Sequence, residues 1–276
     1  MNNLTAEEYL RQGDLEGALQ MLKEQVRAQP ANVQHRIFLF QLLCIQGDWQ
    51  RALTQLNVAG ELDDSTLAMV AMYRQVIACE CFREEVFQGN KEPVVFGQPE
   101  QWVALLLEAL KLTARGEYAR SQELRAQAFD AAPATSGTID AREFAWLADS
   151  DSRTGPIIEA MVDGRYLWVP QQRIKAISID APEDLRDLVW LPSHFFWSNG
   201  GESYGLIPAR YPGSYKGDDP LLALSRKTEW QECAADLYLG MGQKIFTTDS
   251  ADYPLLDVRE IVFNSDDESP QEQPGG

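Results

Sequence analysis

A short motif that recurs after 34 residues constrains the fold of this chain more than any other feature. Gly13-Asp14-Leu15-Glu16-Gly17-Ala18-Leu19 reappears as Gly47-Asp48-Trp49-Gln50-Arg51-Ala52-Leu53. A further copy begins at Gly116, and the same register places an intervening turn near Cys81-Phe82, where glycine is missing. Glycine tolerates the left-handed conformation that ends a helix, and alanine allows two helices to approach closely. The motif therefore predicts stacked helical hairpins.

Proline positions agree with one helical hairpin in each copy. Pro30 lies 17 residues after Gly13, and Pro133 lies 17 residues after Gly116. Apolar residues recur three or four positions apart between Gly13 and Pro30, which is the stripe of an amphipathic helix that proline then ends. Residues 4 to about 133 therefore resemble tetratricopeptide repeats, whose period is about 34 residues. The alternative is an irregular helical bundle with a chance period.

The second half of the chain has the patterns of short strands and tight turns. A linker begins at Thr135, and Ala141–Leu147 is predicted to form one last helix. Two apolar runs, Ile157–Val162 and Arg165–Val169, flank Asp163-Gly164, a pair that favours a two-residue hairpin turn. Further short apolar runs separated by turn residues follow, and this spacing is typical of a small barrel or an open sandwich.

These patterns predict an α+β protein with two folded parts and a tail. The tail is acidic and rich in Pro, Gln and Gly, so its low hydrophobicity cannot offset the entropy lost on ordering. The predicted parts are tetratricopeptide-like helical repeats over residues 1–150, a small β-rich, barrel-like domain over residues 151–263, and a disordered tail over residues 264–276.

The charge of the chain narrows the classes of partner. A formal net charge of −18 at pH 7 disfavours nucleic acid and anionic membrane surfaces. A protein partner with a basic or amphipathic segment fits better. The N-terminal segment Met1–Leu10 has neither the basic nor the apolar region of a secretory signal, and no apolar run is long enough to span a bilayer. We therefore expect a cytoplasmic protein.

The repeat register predicts which residues line the concave face of the helical array. These residues are small or apolar with scattered glutamines, and lysine and arginine are absent from the set, so the register gives no carboxylate clamp for an acidic peptide. Such a lining suits the apolar face of an amphipathic helix. The alternative is that the same residues pack against another part of this chain. The predicted groove residues are Ile37, Gln41, Cys44, Ile45, Ala71, Gln75, Ala78, Val103, Leu106 and Leu110.

A second candidate site lies in the β-rich half. In the segment Ile207–Ser214, two prolines restrict the backbone, and Arg210 stands between Ala209 and Tyr211. Arginine can bind a carboxylate through two parallel hydrogen bonds or stack on an aromatic ring. Arg210 and Tyr211 are therefore a candidate second binding site. The alternative is an internal salt bridge that holds an irregular loop in place.

One group of carboxylates is a candidate catalytic site. Asp180, Glu183, Asp184 and Asp187 lie close together in sequence beside Arg186. A carboxylate pair can perform general acid–base catalysis. Carboxylates are also favoured at the start of a helix, where they meet the positive end of its dipole, and this interpretation is preferred.

The remaining chemistry-bearing residues lack the spacing of known sites. Cys79 and Cys81 are separated by one residue, and His35 and His194 lie far apart, so metal-ligand spacing is missing. The pair Gly240-x-Gly242 lacks the third glycine of a dinucleotide-binding loop. We therefore predict a non-enzymatic protein without a metal or cofactor.

The motifs of the second half, placed after a repeat-like first half, resemble a known family. They are Arg186–Pro192 (RDLVWLP), Ile207–Ser214 (IPARYPGS), Lys227–Trp230 (KTEW) and Leu255–Arg259 (LLDVR). This arrangement resembles the ImpE family, also called SciE-type or TagJ proteins, of bacterial type VI secretion systems. The resemblance covers nearly the whole chain except the acidic tail.

The resemblance implies a cytoplasmic, virulence-associated accessory protein that acts as an adaptor. Its expected partner is the N-terminal helix of the small contractile-sheath subunit, TssB, with a link to the ClpV-type ATPase that recycles the sheath. Two alternatives stay open: a generic repeat scaffold with an unrelated protein partner, and a hydrolase with an unrecognised site in the β-rich half.

Overall fold

The computed structural model describes residues 4–98 and 100–264, with helices in the first half of the chain and strands in the second. Most helical residues precede the first long strand. Over the described residues the α-helices are α1 (Ala6–Arg11), α2 (Leu15–Ala28), α3 (Val33–Ile45), α4 (Trp49–Leu62), α5 (Leu67–Phe87), α6 (Gln101–Ala114), α7 (Tyr118–Ala131) and α8 (Pro220–Ala223).

The strands form one large sheet and two small ones. The large sheet has nine strands in the order β1-β6-β5-β9-β8-β7-β14-β2-β3, and the small sheets are β10-β11 and β13-β12-β4. The strands are β1 (Val94–Val95), β2 (Gly137–Ile139), β3 (Arg142–Phe144), β4 (Leu147–Asp149), β5 (Ile157–Val162), β6 (Arg165–Pro170), β7 (Ile174–Ile179), β8 (Trp190–Trp197), β9 (Glu202–Pro208), β10 (Thr228–Ala234), β11 (Leu237–Gly242), β12 (Ile245–Thr248), β13 (Asp252–Pro254) and β14 (Glu260–Phe263).

The repeated glycine–acid motif ends one helix and starts the next, as predicted. Gly13, Gly47 and Gly116 have φ values of +79°, +68° and +76°, which glycine adopts without strain. The aspartates that follow cap the next helix, because Asp14 accepts a hydrogen bond from the Gly17 amide at 2.8 Å and Asp48 accepts one from the Arg51 amide. The hairpins α1–α2, α3–α4 and α6–α7 result from these turns.

The turn predicted near Cys81-Phe82 is wrong. Helix α5 runs without interruption from Leu67 to Phe87, and the next glycine with positive φ is Gly89, at +75°. Cys81 offers neither a left-handed glycine nor a capping side chain, so no local signal stops the helix there. Helix α5 packs against α4 and against β6 of the sheet, and it is one long helix where the repeat register predicts a hairpin.

The prediction of an α+β fold is confirmed, but the barrel-like closure is not. Over the described residues, β1 and β3 lie at opposite ends of the nine-stranded sheet and do not pair, so the sheet is open. The predicted hairpin at Asp163-Gly164 is present, with φ values of +50° and +70° and with Val162 opposite Arg165. These values are those of the turn that matches the twist of a two-residue hairpin.

The change from helix to strand falls earlier than residue 150. Helix α7 ends at Ala131 and β2 begins at Gly137. The helix predicted over Ala141–Leu147 is wrong, because Asp140 and Ala141 have φ values of +47° and +63° and form the turn that joins β2 to β3. Apart from Asn264, the tail predicted over residues 264–276 lies outside the described residues.

Two hydrophobic cores lie on opposite faces of the nine-stranded sheet. The first joins the helices to sheet residues such as Trp168, Trp190 and Leu206. The second joins the other face to the small sheet β13-β12-β4, for example through Ile158 and Phe246. The helical layer, the large sheet and the small sheet therefore form three layers. Within the described ranges, no helix combines the length and apolar character needed to cross a membrane.

Ala52, the alanine of the second repeat motif, tests the packing of the helical hairpins. It is fully buried on α4, which packs against α3. We expect Ala52→Arg to lower the free energy of unfolding by more than about 3 kcal/mol, since it overpacks the contact and buries a charge. Urea denaturation followed by circular dichroism measures the change. Ala104→Arg, on an exposed position of α6, is the matched control and should change stability by less than about 0.5 kcal/mol. Equal effects of the two substitutions would contradict this packing.

Candidate functional site

Half of the residues predicted to line a groove are inside the protein. All five have side chains at most 3% exposed and belong to the core that the helices share with the sheet. They pack against other parts of this chain, which was the alternative interpretation, so an open groove along these positions is not formed. The five residues are Cys44, Ile45, Val103, Leu106 and Leu110.

Arg210, predicted as part of a second binding site, is also buried. Its guanidinium donates hydrogen bonds to the carbonyl oxygens of Cys44 at 2.9 Å, Ile45 at 2.7 Å and Ala223 at 2.6 Å. Two of these carbonyls end helix α3, where a positive charge is favoured by the helix dipole. Burial lowers the pKa of Arg210 to about 10, against the opposing effect of Glu80. Arg210 therefore joins the two halves of the chain and is not accessible to a partner.

Tyr211 has an internal role as well. Its hydroxyl donates to Asp149 Oδ1 at 3.0 Å and accepts a hydrogen bond from the Ile245 amide at 3.0 Å. The side chain is 1% exposed. The segment around Arg210 and Tyr211 therefore connects parts of the chain through hydrogen bonds to carbonyl and carboxylate oxygens. The alternative prediction for Arg210 was an internal salt bridge, and the structure has three hydrogen bonds to backbone carbonyls in its place.

A network of buried charges fixes helix α5 on the sheet. Arg83 of α5 pairs with Glu159 of β5, with 2.6 Å between Nε and Oε1, and with Glu80 at 3.0 Å. Lys244, just before β12, pairs with Glu159 at 2.8 Å and with Asp149 of β4. Each buried charge thus has at least one partner of opposite sign, which is the condition for burying charges without a large loss of stability.

Aromatic side chains satisfy the remaining acceptors of the network. The Tyr166 hydroxyl donates to Glu159 Oε1 at 2.6 Å, and the Trp168 indole donates to the Tyr166 hydroxyl at 2.8 Å. The Trp190 indole donates to Glu80 Oε2 at 2.9 Å. Burial alone would raise the pKa of Glu159, but Arg83 and Lys244 outweigh it and hold the pKa well below its usual range.

Sequence reasoning missed this network, although one signal was present. Glu159 interrupts the apolar run Ile157–Val162, and a lone carboxylate in a buried strand requires a buried cation. The partner could not be identified, because Arg83 and Lys244 lie 76 and 85 residues away from it in the chain.

On the outer side of α5, an open cleft separates the helix from the sheet. Its volume is about 450 Å³. The helix contributes Met72 and Gln75, and the sheet contributes Tyr204 and His194, whose rings stack with centroids 4.1 Å apart. The lining residues are Met72, Gln75, Val76, Cys79, Met161, Asp163, Gly164, Asp180, Pro192, Ser193, His194, Tyr204, Gly205 and Leu206.

Two large side chains of this cleft are accessible to solvent. Met72 is 43% exposed and Tyr204 is 76% exposed. Of the predicted residues of α5, Gln75 lines the cleft, whereas Ala71 and Ala78 are exposed beside it. Met72 and Tyr204 were not predicted.

The two other predicted residues, Ile37 and Gln41, border a second and more polar cleft of about 700 Å³. It lies between α3 and the 3-10 turn Leu185–Leu188, and Gln41 Oε1 accepts a hydrogen bond from the Leu185 amide at 3.2 Å. Gln41 is buried and Ile37 is half-buried. Gln41 therefore binds the protein's own backbone.

The carboxylate cluster beside this second cleft starts the 3-10 turn, as the preferred interpretation held. Asp187 Oδ2 accepts hydrogen bonds from the amides of Glu183 at 2.9 Å and Asp184 at 2.8 Å. Arg186 pairs with Asp184. These carboxylates have structural hydrogen-bond partners, whereas Asp180 lines the cleft beside α5.

The match to a family model and to a curated relative identifies the class of protein. The model of the ImpE protein family matches residues 141–262. A curated relative from Pseudomonas aeruginosa is 50% identical over 264 residues, covering 96% of this chain and 92% of the relative. The chain therefore belongs to the ImpE family, which confirms the predicted resemblance. That relative is the type VI secretion system accessory component TagJ.

A solved structure supports the fold across the full length. The crystal structure of a protein from Vibrio parahaemolyticus superimposes with a TM-score of 0.86 at 26% identity, covering 94% of this chain and 97% of that chain. The arrangement of helices on an open sheet is therefore shared with an experimentally determined structure.

Replacing Glu159 tests the buried network and its pH dependence. We expect Glu159→Gln to lower the free energy of unfolding at pH 7 by about 3–5 kcal/mol, because Arg83 and Lys244 lose a buried counter-charge. The folded-state pKa of Glu159 lies below its unfolded value, so its contribution is complete above about pH 4.5 and decreases as pH falls below that value. The difference in free energy of unfolding between wild type and variant should therefore decrease from pH 5 to pH 3.

Urea denaturation at each pH measures this gap. The matched control is Glu143→Gln, at an exposed position of β3, which should leave stability within about 0.5 kcal/mol of wild type. A gap that stays constant or widens at low pH would contradict a depressed pKa of Glu159.

Proposed function

We propose that this protein is a non-enzymatic, cytoplasmic adaptor of a type VI secretion system. In this proposal the cleft between α5 and the sheet holds the amphipathic N-terminal helix of a TssB-like sheath subunit. Membership of the ImpE family and 50% identity to a type VI secretion system accessory component support the secretion-system role. A link to a ClpV-type ATPase is part of the same proposal and would follow from an adaptor bound to the sheath.

The exposed apolar lining of the cleft is the observation that supports helix binding. Apolar side chains exposed within one concave surface mark interaction sites more reliably than isolated ones. Met72 projects from α5, and Tyr204 stands on β9 across from it, with Leu206 and Met161 buried beneath. An amphipathic helix that places its apolar stripe in such a cleft removes this surface from water.

The fixed position of α5 suits it for binding a second helix. Arg83 and Glu80 face the sheet, so the network beneath α5 holds the opposite face of the helix toward solvent. Gln75, which lines the cleft, is on the exposed side of the helix, and the small side chains of Ala71 and Ala78 lie next to it. Each large apolar anchor of the partner is worth roughly 1.5–3 kcal/mol when fully buried, and two or three anchors give about micromolar affinity after the costs of association.

The alternatives differ in what the cleft binds. A generic repeat scaffold would use the same surface for an unrelated protein. A hydrolase would use nucleophilic or acid–base groups beside the cleft. The family match and the curated relative support an accessory role rather than a hydrolase.

Truncating the two accessible apolar residues tests the proposal. We expect Met72→Ala/Tyr204→Ala to weaken binding of a synthetic peptide with the sequence of the sheath subunit's N-terminal helix by at least about tenfold, because two contacts with the partner are lost. Fluorescence anisotropy titration of the labelled peptide measures the affinity. Both residues are partly exposed, so the variant should keep the wild-type circular dichroism spectrum.

The matched control truncates two apolar residues that are about half exposed and lie outside the cleft. Leu67→Ala/Val94→Ala removes side chains that are 50% and 48% exposed, and it should bind the peptide like wild type. If Met72→Ala/Tyr204→Ala is folded and binds with unchanged affinity, the cleft does not hold the helix. If the wild-type protein does not bind the peptide at all, the sheath subunit is not its partner.

A further inference from the structure

The charged residues of the cleft beside α5 are all of one sign. Of its fourteen lining residues, Asp163 and Asp180 carry charge at neutral pH, and lysine and arginine are absent from the set. Both carboxylates are on exposed residues. The floor between them is apolar, with Met161 and Leu206 among its buried residues. The cleft is thus an apolar surface with acidic edges.

Strand register places the two carboxylates on opposite sides of the cleft. Asp163 follows the last residue of β5, and Asp180 follows the last residue of β7, with its amide bonded to the Pro192 carbonyl of β8 at 3.0 Å. Strands β9 and β8 lie between them in the sheet. Three strand spacings of about 4.8 Å separate β5 from β7, so the backbones that carry the two carboxylates are roughly 14 Å apart across the strands.

This width matches a helix. An α-helix with its side chains is about 10–12 Å across, so one helix fits across the roughly 14 Å between strands β5 and β7. Helix α5 borders the same cleft with Met72 and Gln75. A bound helix would therefore lie over β9 and β8, next to α5.

Among the residues that the structure describes, neither carboxylate has a counter-charge. Over residues 4–98 and 100–264, the side chains of Asp163 and Asp180 form no ion pair and accept no hydrogen bond. Other exposed carboxylates are paired, for example Asp219 with Lys227 at 3.0 Å. Two unpaired carboxylates at the edges of an apolar cleft are available to a cation on a partner.

We propose that the segment held in this cleft is a basic amphipathic helix, with lysine or arginine on both sides of its apolar stripe. These cations pair with Asp163 on one side and Asp180 on the other. This inference rests on the proposed function, because it specifies the chemistry of the helix that the cleft holds. The formal net charge of −18 strengthens it, since the whole chain attracts a basic segment before contact is made.

The pairing has two consequences. It orients the partner helix, because a basic residue on each flank turns the apolar stripe toward the floor of the cleft. It also makes binding depend on salt, because exposed ion pairs are screened as ionic strength rises. A helix with acidic flanks would be rejected from the same surface by like-charge repulsion.

The test uses the full-length protein and the labelled sheath-subunit peptide at 50 mM and 300 mM salt. We expect Asp163→Asn/Asp180→Asn to weaken binding about tenfold at 50 mM and to reduce the dependence of affinity on salt. A second peptide, with its lysines and arginines replaced by glutamine, should bind wild type and variant with equal affinity. Asparagine tolerates the positive φ of residue 163, so the turn should be kept.

The control is Asp130→Asn, which removes a carboxylate from an exposed position of α7 outside the cleft. It should change affinity by less than about twofold, because the charge is far from the bound helix. Circular dichroism and melting temperature confirm that each variant is folded.

The outcomes separate this inference from the proposed function. If Asp163→Asn/Asp180→Asn binds like wild type with the same salt dependence, while Met72→Ala/Tyr204→Ala still weakens binding, the charge pairing is wrong and the apolar cleft stands. If Asp130→Asn has the same effect as the double variant, net charge rather than the two flanking carboxylates attracts the peptide. If no variant changes the affinity, or the wild type does not bind, both proposals are wrong.

Discussion

The ion pairs among Arg83, Glu159 and Lys244 hold together the parts of this structure that the chain itself keeps far apart. Arg83 belongs to helix α5, Glu159 to β5 and Lys244 to the segment before β12. Burying a charge is costly unless a partner compensates it, so each of these side chains is stable only when the other segments are in place. The position of α5 on the sheet is therefore determined by charge pairing as well as by apolar packing.

This arrangement explains why the open surface lies where it does. The core side of α5 is used by Glu80 and Arg83, and the concave sides of α3 and α6 are covered by the rest of the chain. The edge of α5 that carries Met72 and Gln75 is left next to the apolar floor of the sheet. The β-rich half thus covers the concave face that an isolated repeat array would expose. It also supplies one side of the cleft beside α5.

Local signals in the sequence predicted local structure well. The glycine–acid motifs at Gly13 and Gly47 and the turn at Asp163-Gly164 act through a few neighbouring residues, so their structures could be derived from the chain alone. The position of α5 on the sheet and the burial of Arg210 depend on contacts at least 76 residues away along the chain, such as the pair of Arg83 with Glu159 and the bond from Arg210 to Cys44. For the same reason Gln75 was found from the repeat register, whereas Tyr204, across the cleft on β9, was not.

The wide separation of the buried charges along the chain has a consequence for synthesis. Arg83 leaves the ribosome before Glu159, and Lys244 follows 85 residues after Glu159. At a synthesis rate of about 5–20 residues per second, roughly 10–30 seconds pass between the synthesis of Arg83 and that of Lys244, the last member of the network. During that interval the face of α5 that carries Arg83 has no complete sheet to cover it. Until Lys244 has been made, the helical half exposes this charged and apolar face of α5.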